Sequence, residues 1–536
     1  MAIFFKFVIV FIRRKQNQTG SVSVQVIDKS RGRYSVAKSF GTGRTEAELL
    51  RLEARARQYI AQITGQIYTL FPQDEDLQTE EFVATLTNSS LQVIGPEMIF
   101  GRLYDYIGYG MIKNEQFRHL VVTRLFSPGS KLKTIDYLHR YQGILYDKNK
   151  IYRFLDTLSL SKEARESIEK ENNEPIEDIK DKAEQISFAH TRKVLRGKIS
   201  AVFYDMTTLY FEAADEDDFR KSGFSKDGKH QCPQIFLGLL VAGGGNPIGY
   251  EIFEGNISEG HTFIGVLETM QQKFGIGKPI VIADSGLLSN KNMAVLEESG
   301  YKYILGARPK NEAEVIKGRI LALNLQFNEI KTIIKPDERR LILSKTEARA
   351  KKDMASRKRG LERLEKRVKS GKLTKDSINN RGYNKYLKIE GKVTVIIDHA
   401  RFEADAAWDG IKGYVTNSRM SEKKIIANYN NLWYIERAFR MNKTDLEIRP
   451  IYHRLRNRIE GHICICFTAY TIMLEIERML CANKSTISLN RVRELAKTMY
   501  QLTYRLPKSC REITSPLKMD SEQAEAVRMV ERWTEK

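Results

Sequence analysis

The sequence predicts an α/β fold, and two observations carry the prediction. From residue 198 onward, short runs rich in β-branched and aromatic residues have the composition of strands. A stretch with helical character lies at 257–274, and strands before and after a helix indicate an α/β core. The predicted strands are Ile199–Tyr204, Gln234–Val241, Ile248–Phe253, Pro279–Ala283 and Tyr303–Leu305.

The charge of the chain indicates a polyanionic partner. Its 536 residues allow several hydrophobic cores. They include 88 Lys and Arg against 67 Asp and Glu, a formal net charge of +21. Each phosphate that a basic residue neutralises releases condensed counterions, so the balance favours a nucleic acid. A soluble basic protein with no such partner is the alternative.

Cysteine usage and hydropathy indicate a cytoplasmic, soluble protein. Five cysteines make no disulfide framework for a chain of this size. Cys464 and Cys466 lie in an apolar stretch, and we expect both to be buried core thiols. The apolar start, Ala2–Ile12, is about half the ~20 residues that a membrane span needs, and it lacks the features of a signal peptide. We therefore expect it to form a strand.

Outside the core the patterns are mainly helical. Thr45–Ile63 and Pro96–Leu160 have helical periodicity, and Ser130 is placed to cap a helix. Residues 345–375 carry thirteen Lys or Arg and four Asp or Glu in a helical pattern. Val393–Ile397 and Gly413–Thr416 are predicted strands on either side of an Asp409-Gly410 turn. Basic residues suited to docking DNA occur in the N-terminal helical part: Arg118, Arg124, Lys131, Lys133, Arg140 and Lys150. A solvated basic face is the alternative for any one of them.

These patterns predict six consecutive regions. The regions are a small β/α region (1–65), a helical DNA-binding and linker region (66–197), the first part of the core (198–311), an insertion domain with a basic helix (312–410), the second part of the core (411–480) and a C-terminal helical region (481–536).

Two aspartates follow apolar strands of the predicted core. Asp205 comes at or near the end of Ile199–Tyr204, and Asp284 comes directly after Pro279–Ala283. A buried carboxylate needs a cation or hydrogen-bond donors nearby, and the strand ends of α/β sheets are where sites usually form. A cap or turn aspartate is the alternative for either residue alone. The pair predicts a functional edge of the sheet.

A third acid lies in a later helical segment. The spacing of Tyr429, Glu436, Arg440 and Lys443 places all four on one face of a single helix. A salt-bridged surface is the alternative for this face taken alone. Beside the two aspartates, Glu436 completes a set of three hard oxygen ligands that suits Mg²⁺ or Mn²⁺. Two such ions would serve an in-line phosphodiester displacement.

Three histidines are not predicted to be metal ligands. His399, His453 and His462 lack metal-ligand spacing, and we expect them to be structural or to face phosphate.

These segments resemble the catalytic motifs of the DDE transposases of bacterial insertion sequences. They are most similar to the IS-four-like superfamily, whose third motif reads Tyr-x2-Arg-x3-Glu-x6-Lys. Tyr429, Glu436 and Lys443 stand at the motif's spacing, whereas Leu432 stands in the Arg position and Arg440 is a nearby positive charge. Supporting phrases are Gly223-Phe224-Ser225-Lys226-Asp227, the Glu-Gly-Asn ending of residues 249–256, and Arg449-Pro450-Ile451-Tyr452-His453.

The resemblance implies a fold, a chemistry and partners. The implied fold is an RNase H-like catalytic core with an inserted, mostly β region, preceded by a mainly helical N-terminal region. The implied chemistry is metal-dependent cleavage at transposon ends by Asp205, Asp284 and Glu436 with two ions, then attack of the freed 3′-hydroxyl on target DNA. Terminal inverted repeats and target DNA are the implied partners of a homodimer. The residues implied to contact DNA are Tyr429, Lys443, Arg440 and Lys226.

Two other functions stay open at this point. One is an RNase H-like endonuclease that cuts without strand transfer, and the other is a catalytically silent DNA-binding protein descended from such an enzyme. Retention of all three acids argues against a silent protein. The basic N-terminal and insertion regions favour a transposase over a nuclease, because holding a transposon end needs an extended surface that follows phosphates.

Overall fold

The structure is a computed structural model that divides into two compact units. One unit comprises residues 1–90 and 504–513, and the other comprises residues 91–503 and 514–536. The structure describes residues 10–29, 32–64, 74–160, 164–167, 170, 177–212, 215–223, 225, 228–229, 231–257, 259–287, 289–370, 382–390, 394–506 and 509–535.

The secondary structure alternates between helical stretches and strands along the chain. The strands are β1 (Val10–Gln16), β2 (Val22–Asp28), β3 (Ser35–Gly43), β4 (Leu91–Val93), β5 (Ala201–Tyr210), β6 (Gln234–Ala242), β7 (Pro247–Glu254), β8 (Ile280–Ala283), β9 (Tyr303–Ala307), β10 (Ile330–Ile334), β11 (Arg340–Lys345), β12 (Leu387–Glu390), β13 (Thr394–Ile397), β14 (Ile411–Thr416), β15 (Tyr500–Arg505) and β16 (Glu512–Pro516). The helices are α1 (Glu46–Thr64), α2 (Asp74–Ala84), α3 (Arg102–Ile107), α4 (Glu115–Phe126), α5 (Lys131–Gln142), α6 (Lys148–Leu158), α7 (Ile179–Val194), α8 (Glu259–Phe274), α9 (Asn290–Glu298), α10 (Glu314–Ala322), α11 (Glu347–Lys369), α12 (His399–Ala404), α13 (Glu422–Asn430), α14 (Trp433–Arg440), α15 (Arg456–Ala482), α16 (Leu489–Ala496) and α17 (Ser521–Thr534).

The smaller unit is built on an antiparallel sheet in the order β1-β2-β3. Helix α1 packs on this sheet, and its apolar face buries Leu49 and Ala56 against Val24 and Val26 of β2. Val24 and Val26 lie on the same face of β2 because side chains two residues apart in a strand point to the same side.

The larger unit contains a mixed sheet of eight strands. Their order is β10-β11-β14-β9-β8-β5-β6-β7. Strands β5, β6 and β7 are antiparallel neighbours, β8 is parallel to both β5 and β9, and β14 is antiparallel to β9. Every residue of β6 is buried, because its successive side chains pack alternately into cores on the two faces of the sheet.

The two faces of this sheet pack into two separate cores. On one face, Val202 and Tyr204 of β5 pack in a core with residues of α8, α9 and α10. On the other face, Phe203 packs in the core that contains α14 and α15. Helix α15 is the centre of that core, because every residue from Gly461 to Ile476 is buried. The alternation along β5 therefore directs the side chain of Asp205 towards the face that α14 covers.

Several expectations from the sequence are confirmed. The five predicted core strands and the helix at 257–274 are present as β5 to β9 and α8. Ser130 caps α5, because its hydroxyl accepts the Lys133 backbone N–H at 3.2 Å. Cys464 and Cys466 are fully buried, and burial raises the pKa of both thiols.

The expected character of the inserted region is wrong in two respects. Between residues 312 and 410 the described residues form more helix than strand, with α11 alone running for 23 residues. The prediction of a mostly β insertion is wrong because the region does not form a β unit of its own. Its strands β10 and β11 instead extend the main sheet through β14. The Asp409-Gly410 turn does not make a hairpin, since β13 pairs with β12 whereas β14 pairs with β11 and β9.

No helix among the residues that the structure describes is both long enough and apolar enough to span a bilayer.

Gly255, which follows β7, has no room for a side chain. A Cβ at this position would lie 2.0 Å from the Gln234 carbonyl oxygen and 2.2 Å from that of Lys221, and both are backbone atoms. We expect Gly255→Ala to lower the free energy of unfolding by more than ~3 kcal/mol, seen as a lower melting temperature in circular dichroism. The control is Gly265→Ala on the exposed side of α8, where nothing lies within 4 Å and helix propensity predicts a gain of about 1 kcal/mol. Equal melting temperatures for the two variants would contradict this packing.

Candidate active site

Strand register brings the two predicted aspartates side by side. Tyr204 of β5 pairs in parallel with Ala283 of β8, so the next residues on the two strands are Asp205 and Asp284. The expected location of Asp205 at a strand end needs correction, because β5 continues to Tyr210. It is β8 that ends beside Asp205. The end of β8 leaves Asp284 exposed, whereas Asp205 is half-buried within the sheet.

The segment that carries the third acid is not one helix. Helix α13 ends at Asn430, and α14 starts at Trp433 after a tight turn in which the Leu432 N–H donates to the Tyr429 carbonyl at 3.0 Å. A π-helical turn, Met441–Asp445, follows α14. The expectation that Tyr429 and Lys443 share one straight helical face is therefore wrong.

Aromatic packing holds α14 over β5. The ring of Tyr434 meets the ring of Phe203 edge to face, with centroids 5.9 Å apart. Ile435 and Phe439 are buried beneath the helix, whereas Glu436 is exposed on it. The residue next to Phe203 on the same face of β5 is Asp205, so this packing sets Glu436 above the two aspartates.

The three acids line one open cavity of about 940 Å³, here called the carboxylate cavity. Two hydrogen bonds fix the Asp284 carboxylate. The Tyr429 hydroxyl donates to Asp284 Oδ1 at 3.2 Å, and the Ser285 backbone N–H donates to the same oxygen at 2.6 Å. In the same way the Met206 N–H donates to Asp205 Oδ1 at 2.8 Å. Burial, together with the charge of Asp284, raises the pKa of Tyr429, which keeps its hydroxyl protonated as a donor.

Cations that the sequence analysis did not single out line the same cavity. Lys412 of β14 lies with its ammonium 4.6 Å from the centre of the Tyr429 ring, and Arg308 follows β9 and donates to the Ser285 hydroxyl at 3.2 Å. Within the part of the chain that the structure describes, neither cation is in a salt bridge. Burial and the charge of Arg349 lower the pKa of Lys412.

Two features of the sequence could have identified Arg308 and Lys412 as candidates. Arg308 lies three residues after the predicted strand Tyr303–Leu305, and Lys412 directly precedes the predicted strand Gly413–Thr416.

The structure separates the predicted DNA-contacting residues from one another. Tyr429 lines the carboxylate cavity, whereas Arg440 and Lys443 do not. Arg440 is exposed at the end of α14, and Lys443 is half-buried in the π-helical turn. Leu432, at the position of the expected arginine, is buried at the wall of the cavity. Lys226 lies outside the described residues.

The chemistry of the donor set fits a hard divalent cation. Asp205, Asp284 and Glu436 are three of the six carboxylates that line the cavity, and all three offer oxygen ligands. Among the described residues, no three His, Cys, Asp or Glu side chains are already gathered into a metal-binding group. Mg²⁺ is commonly held by one or two carboxylates together with water and substrate phosphate, so it does not require a closed protein cage.

Comparison with known proteins assigns the family. Residues 196–472, just over half of the chain, match the transposase DDE domain family. The matched range contains the three acids and the two strands and one helix that carry them. The chain belongs to the transposase DDE domain family, and it is a transposase by class.

Two solved structures were also found to be similar. The cryo-EM structure of the piggyBac transposase synaptic complex with hairpin DNA has a TM-score of 0.37 and 10% sequence identity, covering 76% of this chain and 79% of that chain. The Mos1 transposase paired-end complex with left transposon end has a TM-score of 0.15 and 12% identity, covering 30% and 58%. No curated protein matches the chain.

Proposed function

We propose that this transposase cleaves DNA at the ends of an insertion sequence and joins the freed 3′-hydroxyl to target DNA. The observation that carries the proposal is the convergence of Asp205, Asp284 and Glu436 on one open cavity, from two adjacent strands and a helix packed across them. The terminal inverted repeats and the target are the DNA partners in this proposal, and the protein acts in the cytoplasm.

The proposed catalytic core is RNase H-like. Three antiparallel strands, β5 to β7, followed by the parallel strands β8 and β9 support this assignment. The chemistry that two bound divalent ions supply in such a site is activation of the attacking hydroxyl and stabilisation of the leaving oxygen. In this proposal Asp205, Asp284 and Glu436 hold Mg²⁺ or Mn²⁺.

The protein's own groups have separate tasks in this proposal. The Tyr429 hydroxyl and the Ser285 N–H orient the Asp284 carboxylate, so that its charge is fixed before DNA arrives. Lys412 and Arg308 place positive charge in the same cavity, where a DNA phosphate has to enter. In this proposal they supply the positive charge that the family motif places at the position of Leu432. Arg440, Lys443 and Lys226 then contact DNA outside the cavity.

The joining of two transposon ends implies two active sites. We propose that two protomers pair on DNA as a homodimer, each supplying one carboxylate cavity. The support for this step is the two-ended chemistry alone.

A strand-transfer assay tests the proposed function. Labelled duplexes that end in the inverted repeats flanking the gene are incubated with purified protein, Mg²⁺ or Mn²⁺ and a supercoiled target plasmid. We expect both cleaved ends and labelled plasmid joined to those ends, with neither product formed in EDTA. The matched control is the same duplex with a scrambled terminal sequence.

Two other results would overturn this proposal in different ways. Cleaved ends without joined plasmid would indicate a metal-dependent endonuclease, the alternative that the three acids also support. Binding of the terminal duplex without cleavage in either metal would indicate a catalytically silent DNA-binding protein.

A further inference from the structure

A second cavity, of about 500 Å³, lies at the N-terminus of α5. It is lined by Arg124 of α4, Lys131 of α5, His462 of α15 and His453 of the segment before α15. It shares no lining residue with the carboxylate cavity. Arg124 and Lys131 are two of the basic residues that the sequence predicts to suit DNA docking, and the structure buries both.

The two cations of this cavity are buried without a carboxylate partner. Arg124 and Lys131 are each 4% exposed. Among the described residues neither is in a salt bridge, in contrast to Arg118 on α4, which pairs with Glu97 and Asp105. Burying a charge is costly unless another group compensates for it, so two unpaired buried cations indicate an anion that belongs there.

The polar groups around the two cations satisfy them poorly. Arg124 Nη2 lies 3.3 Å and Lys131 Nζ lies 3.5 Å from the same atom, Nδ1 of His462. His462 Nε2 lies 3.0 Å from the Ile448 carbonyl oxygen, to which it donates, so Nδ1 is the acceptor for both cations. Arg124 Nη1 also lies 3.5 Å from the Leu446 carbonyl oxygen. All three contacts are long for hydrogen bonds, and none brings a negative charge to either cation.

The electrostatic state of the cavity agrees with this geometry. Burial and the charge of Arg124 lower the pKa of Lys131 to about 7. Burial and the charge of Lys131 lower the pKa of His453 to about 3, so that histidine adds no positive charge near neutral pH. Arg124 and the charged form of Lys131 make the buried part of the cavity electropositive, whereas the Glu447 carboxylate lines it from an exposed position. A bound anion would stabilise the charged form of Lys131.

The start of α5 adds backbone donors to the same cavity. Ser130 caps the helix through the Lys133 N–H, which leaves the N–H groups of Lys131 and Leu132 without a partner among the described residues. Unpaired N–H groups and the helix dipole at a helix N-terminus suit a phosphate. Helix α5 has 12 residues, long enough for its dipole to contribute.

We propose that this cavity is a phosphate-binding site formed by Arg124, Lys131 and the N-terminus of α5. The ligand is a phosphate group, either a backbone phosphate of bound DNA or free inorganic phosphate. Binding of a DNA phosphate rests on the proposed function, whereas binding of free inorganic phosphate does not. Access from outside is provided at the rim, where Tyr452 is 68% exposed and Leu132 is 54% exposed.

The test compares the full-length protein with three lysine variants. Lys131→Met removes the buried charge and keeps the length of the side chain, and Lys133→Met changes an exposed lysine at the rim and leaves the packed interior untouched. Lys113→Met, at an exposed position before α4 that is not among the predicted DNA-contacting residues, is the matched control. Melting temperatures are measured while inorganic phosphate is titrated at constant ionic strength. Salt-dependent binding of a terminal-repeat duplex is measured in parallel without divalent metal.

We expect phosphate to raise the melting temperature of the wild type and of Lys113→Met equally. Lys131→Met should weaken phosphate binding by roughly 10-fold or more, because a charge-assisted contact is lost. It should also melt higher than the wild type in the absence of phosphate, since an unpaired buried charge is gone. If Lys131 had only a structural role, Lys131→Met would instead lower the melting temperature in the absence of phosphate. Lys133→Met should weaken phosphate binding by a smaller factor.

The DNA measurement identifies the source of the phosphate. If the site takes a DNA phosphate, Lys131→Met lowers the slope of log affinity against log salt by about one relative to Lys113→Met. If it takes free phosphate, the phosphate response is lost while DNA binding is unchanged. Equal phosphate responses in the wild type, Lys131→Met and Lys133→Met would overturn the proposal. Failure of the strand-transfer assay would leave the phosphate titration unaffected, so the two proposals fail separately.

Discussion

Replacing any one of the three acids by its amide should reduce DNA cleavage by at least ~10³-fold. Asp205→Asn, Asp284→Asn and Glu436→Gln keep the shape of the side chain and remove the charge that holds a divalent cation. The oxygens that accept the Met206 and Ser285 N–H groups remain in the two asparagine variants, so the local backbone has no reason to move. Initial rates of end cleavage in Mg²⁺ and Mn²⁺ measure the effect.

The control for this prediction is another acid of the same cavity. Asp353 lies on α11, where it pairs with Arg349 at 3.6 Å and accepts the Gly410 N–H at 3.1 Å. We expect Asp353→Asn to slow cleavage by less than about 10-fold. DNA affinity and melting temperature should be similar in all four variants. Cleavage within about 10-fold of the wild-type rate by Asp205→Asn or Glu436→Gln would remove that residue from the proposed metal site.

Local sequence patterns predicted that Asp205 and Asp284 are site residues, but not the strand pairing that places them side by side. The apolar runs before Asp205 and Asp284 predicted strands, and both strands formed. The sequence pattern stopped β5 at Asp205, whereas the β-branched Thr207 and Thr208 extend it to Tyr210. The pairing of Tyr204 with Ala283 joins residues about 80 positions apart in the chain, and no local pattern specifies such a register.

The helical segment shows a different limit. Its spacing correctly predicted helix around Glu436, because an amphipathic face needs only the 3.6-residue period. The same spacing cannot detect the turn after Asn430 that separates α13 from α14. Nor does it show that the Tyr429 hydroxyl of α13 donates to Asp284. Lys412 was missed because β14 reaches the site only by pairing with β9, across more than 100 residues of chain.

Gly306 of β9 should be a second determinant of activity although it carries no side chain. A Cβ at this position would lie 2.4 Å from the Tyr429 hydroxyl oxygen and 3.1 Å from the Ser285 backbone nitrogen. These are the two groups that donate hydrogen bonds to Asp284. Gly306→Ala therefore has to displace one or both, and we expect cleavage to slow by ~10²-fold, the cost of misplacing a catalytic group by about 1 Å.

A double-mutant cycle shows whether this effect acts through Tyr429. Tyr429→Phe removes the hydroxyl that the new methyl group would strike, so Gly306→Ala should cost much less in that background than alone. Gly318→Ala on the exposed side of α10, where nothing lies within 4 Å, is the control and should leave cleavage unchanged. Additive losses in the double variant would contradict the argument, because they would mean that Gly306 acts independently of the Tyr429 hydroxyl. A strongly non-additive result would show that the tyrosine positions Asp284, a role that contact with DNA alone does not explain.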